Sequence, residues 1–413
     1  MGIKVWRIKS QSHTLAFLCL VVFLDAISVG LIMPVMPALI QSLSVADVGR
    51  AAEIGGYLLF TFALMQFLCA PAIGGLSDRY GRRPVLLIAV FGFSLSYFVL
   101  ALAPTLTWLF IARAISGVLG ATQAAANAAM VDITPAEKRA RNFGLISASF
   151  GAGFVFGPAV GGILGEIAPR LPFIAAGAVT LLSCVYGFFV MPETLSLEKR
   201  RSFSAGRANP FGSIMAVGKH KTVLGVLAAL FFAQLATQSY NSIWAFFTIE
   251  VFDWSPRSIG FSVTLYGIVF AVVQGFLTGP VVARVGEMYA TVFSMFLATI
   301  AYAGLGFADE AGLVYFWICV GGLSGFALPS MQSVMSKHTA EDQQGELQGA
   351  VASSFSFTTI IGPIAMTQAF SAFTGDGYYF PGAPFIGSAG LALLSVFVFY
   401  ASVRRLRANK PAA

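Results

Sequence analysis

Charged residues are scarce in this chain: Asp, Glu, Lys and Arg together make up 10% of its 413 residues. A soluble domain typically carries about 25%. Hydrophobic residues reach 57% of the chain, and the mean hydropathy is +0.81. This composition excludes an ordinary soluble protein. The net charge is +7, but the sequence contains no soluble basic domain. We therefore expect the excess of basic residues to lie in membrane-protein loops that face one side. For the same reason we expect no nucleic-acid partner.

Cysteine and histidine are also rare. The four cysteines lie singly inside apolar runs, and the three histidines flank such runs. This pattern excludes a disulfide framework and a Cys/His metal site. The sequence contains no HExxH motif, no nucleophile–base pair within a span and no cluster of acids there. We therefore expect no enzyme activity, no cofactor and no metal.

Long apolar runs are what the chain has in abundance. Runs of this length cross membranes as helices, because a helix satisfies its own backbone in lipid. The first run is too long for a signal-peptide core and contains an acid, so we expect it to be retained as a span. The sequence predicts an all-α polytopic membrane protein with twelve transmembrane helices, near 14–39, 54–76, 84–103, 107–131, 141–165, 171–191, 222–246, 258–283, 288–308, 311–335, 346–373 and 382–402.

The distribution of Lys and Arg fixes the predicted orientation. With a cytoplasmic N-terminus, only Arg50, Arg170 and Arg257 fall on the far side, and Arg113 lies within span 4. All the other basic residues face the cytoplasm. The positive-inside rule therefore places both termini in the cytoplasm.

The two halves of the chain repeat each other at an offset of 205 residues. Matched positions include Gly74 with Gly279, Arg79 with Arg284, Gly81 with Gly286, and the pair Gly157–Pro158 with Gly362–Pro363. The spacing predicts two six-helix bundles related by a parallel repeat, at 1–191 and 222–413, joined by a cytoplasmic linker at 192–221. Such repeats place a substrate path at their interface. We expect a monomer.

The loop between spans 2 and 3, "GGLSDRYGRRP" at residues 74–84, concentrates charge in a chain that has little. Gly81 permits a sharp turn and Pro84 suits the first turn of span 3. Asp78 can lie against a helix N-terminus, where the dipole favours an anion. A capped, positive-inside turn is the alternative interpretation, although it does not explain Asp78.

Span 5 carries glycines at every fourth position, Gly153, Gly157, Gly161 and Gly165, with Pro158 among them. The glycines form a smooth groove that another helix can approach closely, and the proline bends the helix. Simple helix packing and a conformational role both remain open.

Asp25 is the acid deepest within a span, and Arg113 of span 4 lies at a similar predicted depth. An isolated ion in a span costs several kcal/mol, so pairing or a wet cavity is expected. A static ion pair between spans 1 and 4 is one interpretation. A titrating carboxylate beside a movable cation, coupling transport to protons, is the other.

Polar stripes on two spans indicate either helix–helix hydrogen bonds or the wall of a substrate cavity. Gln234, Gln238 and Asn241 share one face of span 7, at i, i+4 and i+7. On span 4, Asn127 shares a face with Arg113, and Gln123 lies at its edge. We expect these polar residues to line the cavity, with Tyr240 and Trp244 as aromatic walls.

Three motifs resemble signatures of the major facilitator superfamily. They are "GGLSDRYGRRP", Arg113 followed by Gly117 in span 4, and "GFVFGPAVGG" in span 5, which is similar to the motif associated with antiporters. The likeness covers nearly the whole chain and is greatest to the tetracycline-efflux branch of twelve-span drug:proton antiporters. It implies the major facilitator fold and a gating role for two sets of residues: Gly74, Asp78, Arg79, Gly81, Arg82 and Arg83 in the loop, and Gly153, Gly157, Pro158, Gly161 and Gly162 in span 5.

The chain also departs from that branch. Where the tetracycline exporters place further charged or imidazole groups in spans 3, 8 and 9, this chain has Ser96, Phe270 and Ala298. The resemblance thus implies the scaffold while much of the site chemistry differs, which argues against tetracycline as the substrate.

These observations together predict a proton-coupled exporter of a small amphipathic molecule or drug, working by alternating access in a bacterial inner membrane. Export or flipping of a lipid-like or metabolic solute is an alternative. A receptor or scaffold without transport is another, which the duplicated glycine-rich bends argue against.

Overall fold

We analysed a computed structural model, which describes residues 2–120, 122–135, 138–200, 221–340, 343–375 and 377–408. These residues form α-helices joined by short turns, with no β-strand among them. The first half contains α1 (Gly2–Ile32), α2 (Met36–Leu43), α3 (Val48–Tyr80), α4 (Arg82–Leu102), α5 (Leu106–Leu119), α6 (Thr122–Ile133), α7 (Arg139–Ile167) and α8 (Leu171–Val190).

The second half continues this pattern after a 3₁₀ turn at Leu197–Lys199. A π-helical segment, Val273–Leu277, follows α10 directly. The helices are α9 (Lys221–Phe252), α10 (Pro256–Val272), α11 (Thr278–Val285), α12 (Glu287–Gly306), α13 (Ala311–Gly322), α14 (Ala327–Lys337), α15 (Gln344–Ala372) and α16 (Ala383–Ala408).

The predicted membrane class and all-α fold are confirmed. Within the described ranges, 11 helical segments are long and apolar enough to span a bilayer. The predicted span 4, at 107–131, differs because it consists of two helices, α5 and α6. Gly120 caps α5, where its N–H bonds Gly117 O at 3.1 Å in a tightened final turn.

The repeat seen in the sequence is also a repeat of structure. Helix α7 (Arg139–Ile167) and helix α15 (Gln344–Ala372) begin and end at residues 205 positions apart, and each contains an internal proline. Gly81 and Gly286, the same distance apart, have φ of 109° and 83°. Such values suit glycine and let a long helix stop and the next begin at once. The predicted boundaries at 191 and 222 stay a prediction.

The chain packs as two compact units. Unit 1 comprises Met1–Val45, Thr61–Asn209 and Ser255–Thr264. Its core joins α1, α4, α6 and α7 through buried apolar side chains, among them Phe17, Leu18, Leu86, Met130 and Ile146. Because these side chains come from helices far apart in sequence, the core fixes the position of α1 and therefore of Asp25.

Unit 2 comprises Ala46–Phe60, Pro210–Trp254 and Leu265–Ala413. Its core joins α9, α12, α14, α15 and α16, and its members include Leu230, Met295, Met331, Leu347 and Phe399. An aromatic cluster around Trp244, which is 1% exposed, extends this core.

Candidate functional site

Asp25 lies on α1 and faces a small cavity between α1, α4 and α8. The cavity is lined by Val21, Leu24, Asp25, Val90, Phe93, Thr180 and Ser183. The space open to the centre of a water molecule is about 20 Å³, which is enough for one water. Among these lining residues Asp25 is the single titratable group. Ser183 is 3% exposed, and its hydroxyl has no hydrogen-bond partner in the structure.

Arg113 lies on α5, is 7% exposed, and does not form an ion pair with Asp25. Its Nε and Nη2 atoms are buried without a hydrogen-bond partner. The predicted static ion pair is therefore not formed in this structure, in which Asp25 faces the cavity between α1, α4 and α8. Asp25 and Arg113 therefore lie in the same unit without neutralising each other.

The glycine groove of α7 receives α1. A Cβ at position 157 would lie 2.7 Å from Ile27 O and 3.1 Å from Gly30 Cα, and one at position 161 would lie 2.8 Å from Leu31 Cα. Gly153 similarly faces Phe23 O. The groove thus sets the distance between α7 and the helix that carries Asp25.

The first turns of α10 also approach α7 within unit 1. A Cβ at Gly162 would lie 3.2 Å from Gly260 Cα, and Thr264 Oγ1 donates to Val155 O at 3.0 Å. Pro158 lies between these contacts and removes one helical hydrogen bond. Gly153, Gly157, Pro158, Gly161 and Gly162 therefore occupy a close helix crossing, and their gating role stays a prediction.

Gly157→Ala is expected to destabilise the folded protein, because the added methyl must push α1 away from α7. Overpacking of this kind costs typically 1–3 kcal/mol. The measurement is the thermal unfolding temperature of the purified protein in detergent. Gly144→Ala is the matched control, since a Cβ at Gly144 on the same helix meets nothing within 4 Å. Equal unfolding temperatures for the two variants would contradict the close packing.

The loop after α3 forms a network of charges. Arg82 Nη1 pairs with Asp78 Oδ1 at 2.6 Å, and Arg82 Nε approaches Asp132 Oδ2 at the end of α6 at 3.3 Å. Arg83 Nη2 donates to Phe188 O at 2.6 Å. Arg82 thus ties together the ends of α3, α4 and α6. A Cβ added at Gly74 would meet no atom within 4 Å. The guanidinium of Arg79 lies over the ring of Tyr80, which is exposed.

Glu193, which the sequence did not single out, supplies the carboxylate at the N-terminus of α4. Its Oε1 accepts from the backbone N–H of Arg82 at 2.8 Å, and its Oε2 accepts from that of Arg83 at 3.3 Å. A side chain at Gly81 would collide with this carboxylate. The expected anion at a helix N-terminus is thus present at α4 as Glu193, while Asp78 binds the Arg82 side chain. An acid directly after span 6, on the same side as the loop, was the available signal.

Glu193→Gln is expected to loosen the first turn of α4. The amide keeps one acceptor but loses the charge, which is worth about 1 kcal/mol at a helix N-terminus, or about fivefold in local opening. Hydrogen–deuterium exchange of a peptide covering residues 81–86 measures this. Glu198→Gln, at an exposed position in the same linker, is the control. Unchanged exchange in the Glu193 variant would argue against the cap.

The predicted polar stripe on α9 does not face one cavity. Gln234 lines an internal cavity of unit 2. Gln238 packs against α15, where a Cβ at Gly362 would lie 2.6 Å from Gln238 Cβ, and Asn241 is exposed. Tyr240 and Trp244 are buried in the aromatic cluster behind the cavity. On α6, Asn127 has a buried Oδ1 without a partner, whereas the side chain of Gln123 lies outside the described residues.

The unit 2 cavity is larger than the cavity beside Asp25. Its volume, measured as the space open to the centre of a water molecule, is about 130 Å³. Charged side chains are missing from its described lining. That lining comprises Leu230, Ala233, Gln234, Thr237, Tyr266, Phe270, Ser294, Met295, Ala298, Tyr302, Ser324, Gly325, Ala327, Leu328, Met331 and Ala392. Phe270 and Ala298 thus meet at one site, while Ser96 is buried in unit 1 and bonds Ala112 O at 3.0 Å.

Comparison with known proteins identifies the family. The profile of the Major Facilitator Superfamily matches residues 18–363 and 226–413. The chain belongs to the Major Facilitator Superfamily. Its predicted resemblance to tetracycline-efflux proteins is also confirmed at the level of sequence. The chain is 39% identical to the class C tetracycline resistance protein of Escherichia coli over 85% of its own length and 88% of that protein.

Two further comparisons agree. The class G tetracycline resistance protein of Vibrio anguillarum is 37% identical, with 86% of this chain and 90% of that protein covered. The crystal structure of a bacterial homologue of the human lysosomal transporter Spinster superposes with a TM-score of 0.77, at 17% identity, over 95% of this chain and 97% of the other. A Major Facilitator Superfamily chain of this kind is a multi-pass membrane transporter rather than an enzyme.

Proposed function

We propose that this Major Facilitator Superfamily protein exports a small amphipathic molecule in exchange for protons, and that Asp25 is the proton-binding group. The position of Asp25 carries the proposal. It is a carboxyl group within a membrane-spanning helix, it lies in a cavity that can hold a water, and no basic side chain among the described residues neutralises it. Intramembrane acids of this kind are costly and mark ion or proton paths.

The hydroxyl groups of Thr180 and Ser183 support this role. Both are buried beside Asp25, and the Ser183 hydroxyl has no protein partner. A water bound between them and Asp25 would hydrate the carboxylate after it releases a proton. When water is excluded, the neutral carboxyl is favoured over a bare charge. Coupling of transport to protons requires Asp25 to alternate between a hydrated state, in which it releases its proton, and a dry state, in which it holds the proton.

Arg113 has a second role in the proposal. Its guanidinium is buried and only partly satisfied, so a rearrangement of α1 against α5 could bring it to the Asp25 carboxylate. The pair would then form in one transport state and separate in another. One inward charge across 100 mV is worth about 2.3 kcal/mol, which would drive a substrate gradient of some tens-fold.

The relatives support export of a small molecule as the direction of transport. Both named relatives are tetracycline resistance proteins, and resistance by a membrane transporter means removal of the drug. By analogy we place this protein in a bacterial inner membrane as a monomer with both termini cytoplasmic. The loop residues Asp78 to Arg83, tied by Glu193, and the α7 crossing would act as the moving contacts of alternating access.

Proteoliposomes provide the direct test of this function. An imposed pH gradient is expected to drive uphill accumulation of an amphipathic dye, and substrate movement is expected to move protons in return. A protein that moves a solute with no proton flux would favour facilitated export of a metabolic or lipid-like solute. A protein that moves nothing would favour a receptor or scaffold.

A further inference from the structure

The unit 2 cavity has the size and the lining of a binding site for one aromatic ring. Its volume of about 130 Å³ is close to that of an engineered apolar cavity of roughly 150 Å³ that binds benzene. The cavity lies between α9, α10, α12, α14 and α16. Its lining residues all belong to unit 2, and the packing of these five helices sets its shape.

One wall of the cavity is aromatic. The Tyr266 ring stacks on Phe270 with ring centroids 5.8 Å apart, and on its other side it stacks on Tyr240 at 4.9 Å. Tyr302, which also lines the cavity, lies 5.4 Å from Tyr240. Because three of these rings are buttressed by each other, Tyr266 and Phe270 present ring faces and edges that are held in place. Offset-stacked and edge-to-face contacts with a ligand ring are favourable at such distances.

Two small residues also shape the cavity. Ala298 of α12 and Gly325, in the turn before α14, both line the cavity. A Cβ at Gly325 would lie 3.2 Å from Val273 Cγ1, where the π-helical segment begins, and 3.4 Å from Phe270 O. The glycine therefore lets α10 approach at this level, and the alanine leaves the volume open.

Most polar groups of the lining are already engaged. Thr237 Oγ1 donates to Ala233 O and is approached by the Tyr302 hydroxyl at 3.5 Å. The Ser294 hydroxyl donates to Ser324 O. Within the described residues the Gln234 amide makes no hydrogen bond, and an amide can both donate and accept without being ionisable.

We propose that this cavity is a substrate subsite within unit 2 and that it accepts an uncharged aromatic ring bearing one hydrogen-bonding substituent, which binds Gln234. The lining offers no counter-charge among the described residues, so an ionised substituent would lose its water without compensation. This inference rests on the proposed function only in calling the ligand a substrate, since the binding itself needs no proton gradient.

The experiment compares three ligands that share a ring and differ in charge. They are 4-fluorobenzyl alcohol, 4-fluorobenzoate and 4-fluorobenzylammonium, and binding to the purified full-length protein in detergent is followed by ¹⁹F NMR. The neutral alcohol is expected to show saturable binding that unlabelled benzyl alcohol displaces. The two ions are expected to bind at least about a hundredfold more weakly. Comparable saturable binding of either ion would overturn the proposal.

Two variants locate the site. Ala298→Phe fills the cavity and is expected to abolish the saturable signal, whereas Ile300→Phe, at an exposed position on the same helix, should retain it. Gln234→Leu keeps the shape and removes the amide, so we expect affinity for the alcohol to fall about fivefold. Where Ala298→Phe lowers the yield of folded protein, Ala298→Leu gives the same test. Unchanged binding in the filled variant would overturn the assignment to this cavity.

Failure of the proposed function gives a different pattern. If the protein binds the alcohol, and Ala298→Phe abolishes that binding, but no proton-driven transport occurs, the subsite stands and the function falls. If proton-driven transport occurs and Ala298→Phe does not affect binding, the function stands and the subsite falls.

Discussion

Asp25→Asn is expected to reduce proton-driven uphill transport to the level of protein-free liposomes. The asparagine has nearly the same size as the aspartate but cannot bind and release a proton at physiological pH. Substrate movement is therefore no longer coupled to proton movement. Exchange of labelled for unlabelled substrate at equal concentrations needs no net proton movement and should persist. The measurement is therefore a pair of assays in the same liposomes: accumulation under an imposed pH gradient, and exchange without one.

The control for this prediction is Glu166→Gln, which makes the same change at an exposed acid near the C-terminal end of α7. It should leave both assays unchanged. Undiminished uphill transport by the Asp25 variant would show that another group carries the proton. A fall in the yield of folded protein, with exchange lost as well, would instead indicate that Asp25 has a structural role in the α1 region.

Much of the fold could be predicted because single residues dictate it locally. Apolar runs must be helices in lipid, and the paired glycines at 81 and 286 permit the left-handed turns that the structure has there. The division of span 4 into α5 and α6 was harder to predict, since an apolar run does not reveal where a helix ends within it. Gly120 gave a signal, but glycine also occurs throughout unbroken helices such as α7.

The site was predicted less completely, because helical periodicity gives a face but not its neighbours. Gln234 and Asn241 share a face of α9, yet seven residues correspond to about 10 Å along the helix axis. At that separation they meet different surroundings, and one lines a cavity while the other is exposed. The sequence predicts a similar depth in the membrane for Asp25 and Arg113, but depth does not show in which direction each side chain points.

The residues that sequence reasoning missed act through contacts between distant segments. Glu193 binds the backbone of Arg82, which lies 111 residues earlier in the chain. Tyr266 and Tyr302 form the cavity wall only because α10 and α12 both pack near α9. Neither lies in a recognisable motif, and such residues emerge only once the helices are in place.

The second large effect concerns which drug the protein removes. Bacteria that lack their own efflux pumps and express this protein are expected to remain sensitive to tetracycline, although the named relatives are tetracycline resistance proteins. Tetracycline is a strongly polar, ionisable compound. The cavity of unit 2 contains Phe270 and Ala298, at positions where the resemblance to the tetracycline exporters implies charged or imidazole groups, and none of its described lining residues is charged.

The size of this effect follows from the cost of burying charge. A charged or strongly polar ligand without partners loses several kcal/mol, which is a factor of hundreds or more in affinity. An apolar compound with one or two neutral polar groups avoids this cost, because the described lining is uncharged and the Gln234 amide in it has no hydrogen-bond partner. We therefore expect the same cells to tolerate more of an uncharged aromatic antibacterial than cells carrying an empty vector.

Growth inhibition in such a host measures both expectations at once, with the class C tetracycline resistance protein expressed in parallel as the positive control. Tolerance of the uncharged compound should be lost in Asp25→Asn, which removes coupling, and reduced in Gln234→Leu, which removes the hydrogen-bonding group. High-level tetracycline resistance that disappears in Asp25→Asn would contradict the prediction. It would mean that groups outside this cavity compensate the charge of the drug, and that Phe270 and Ala298 do not determine which substrate is bound.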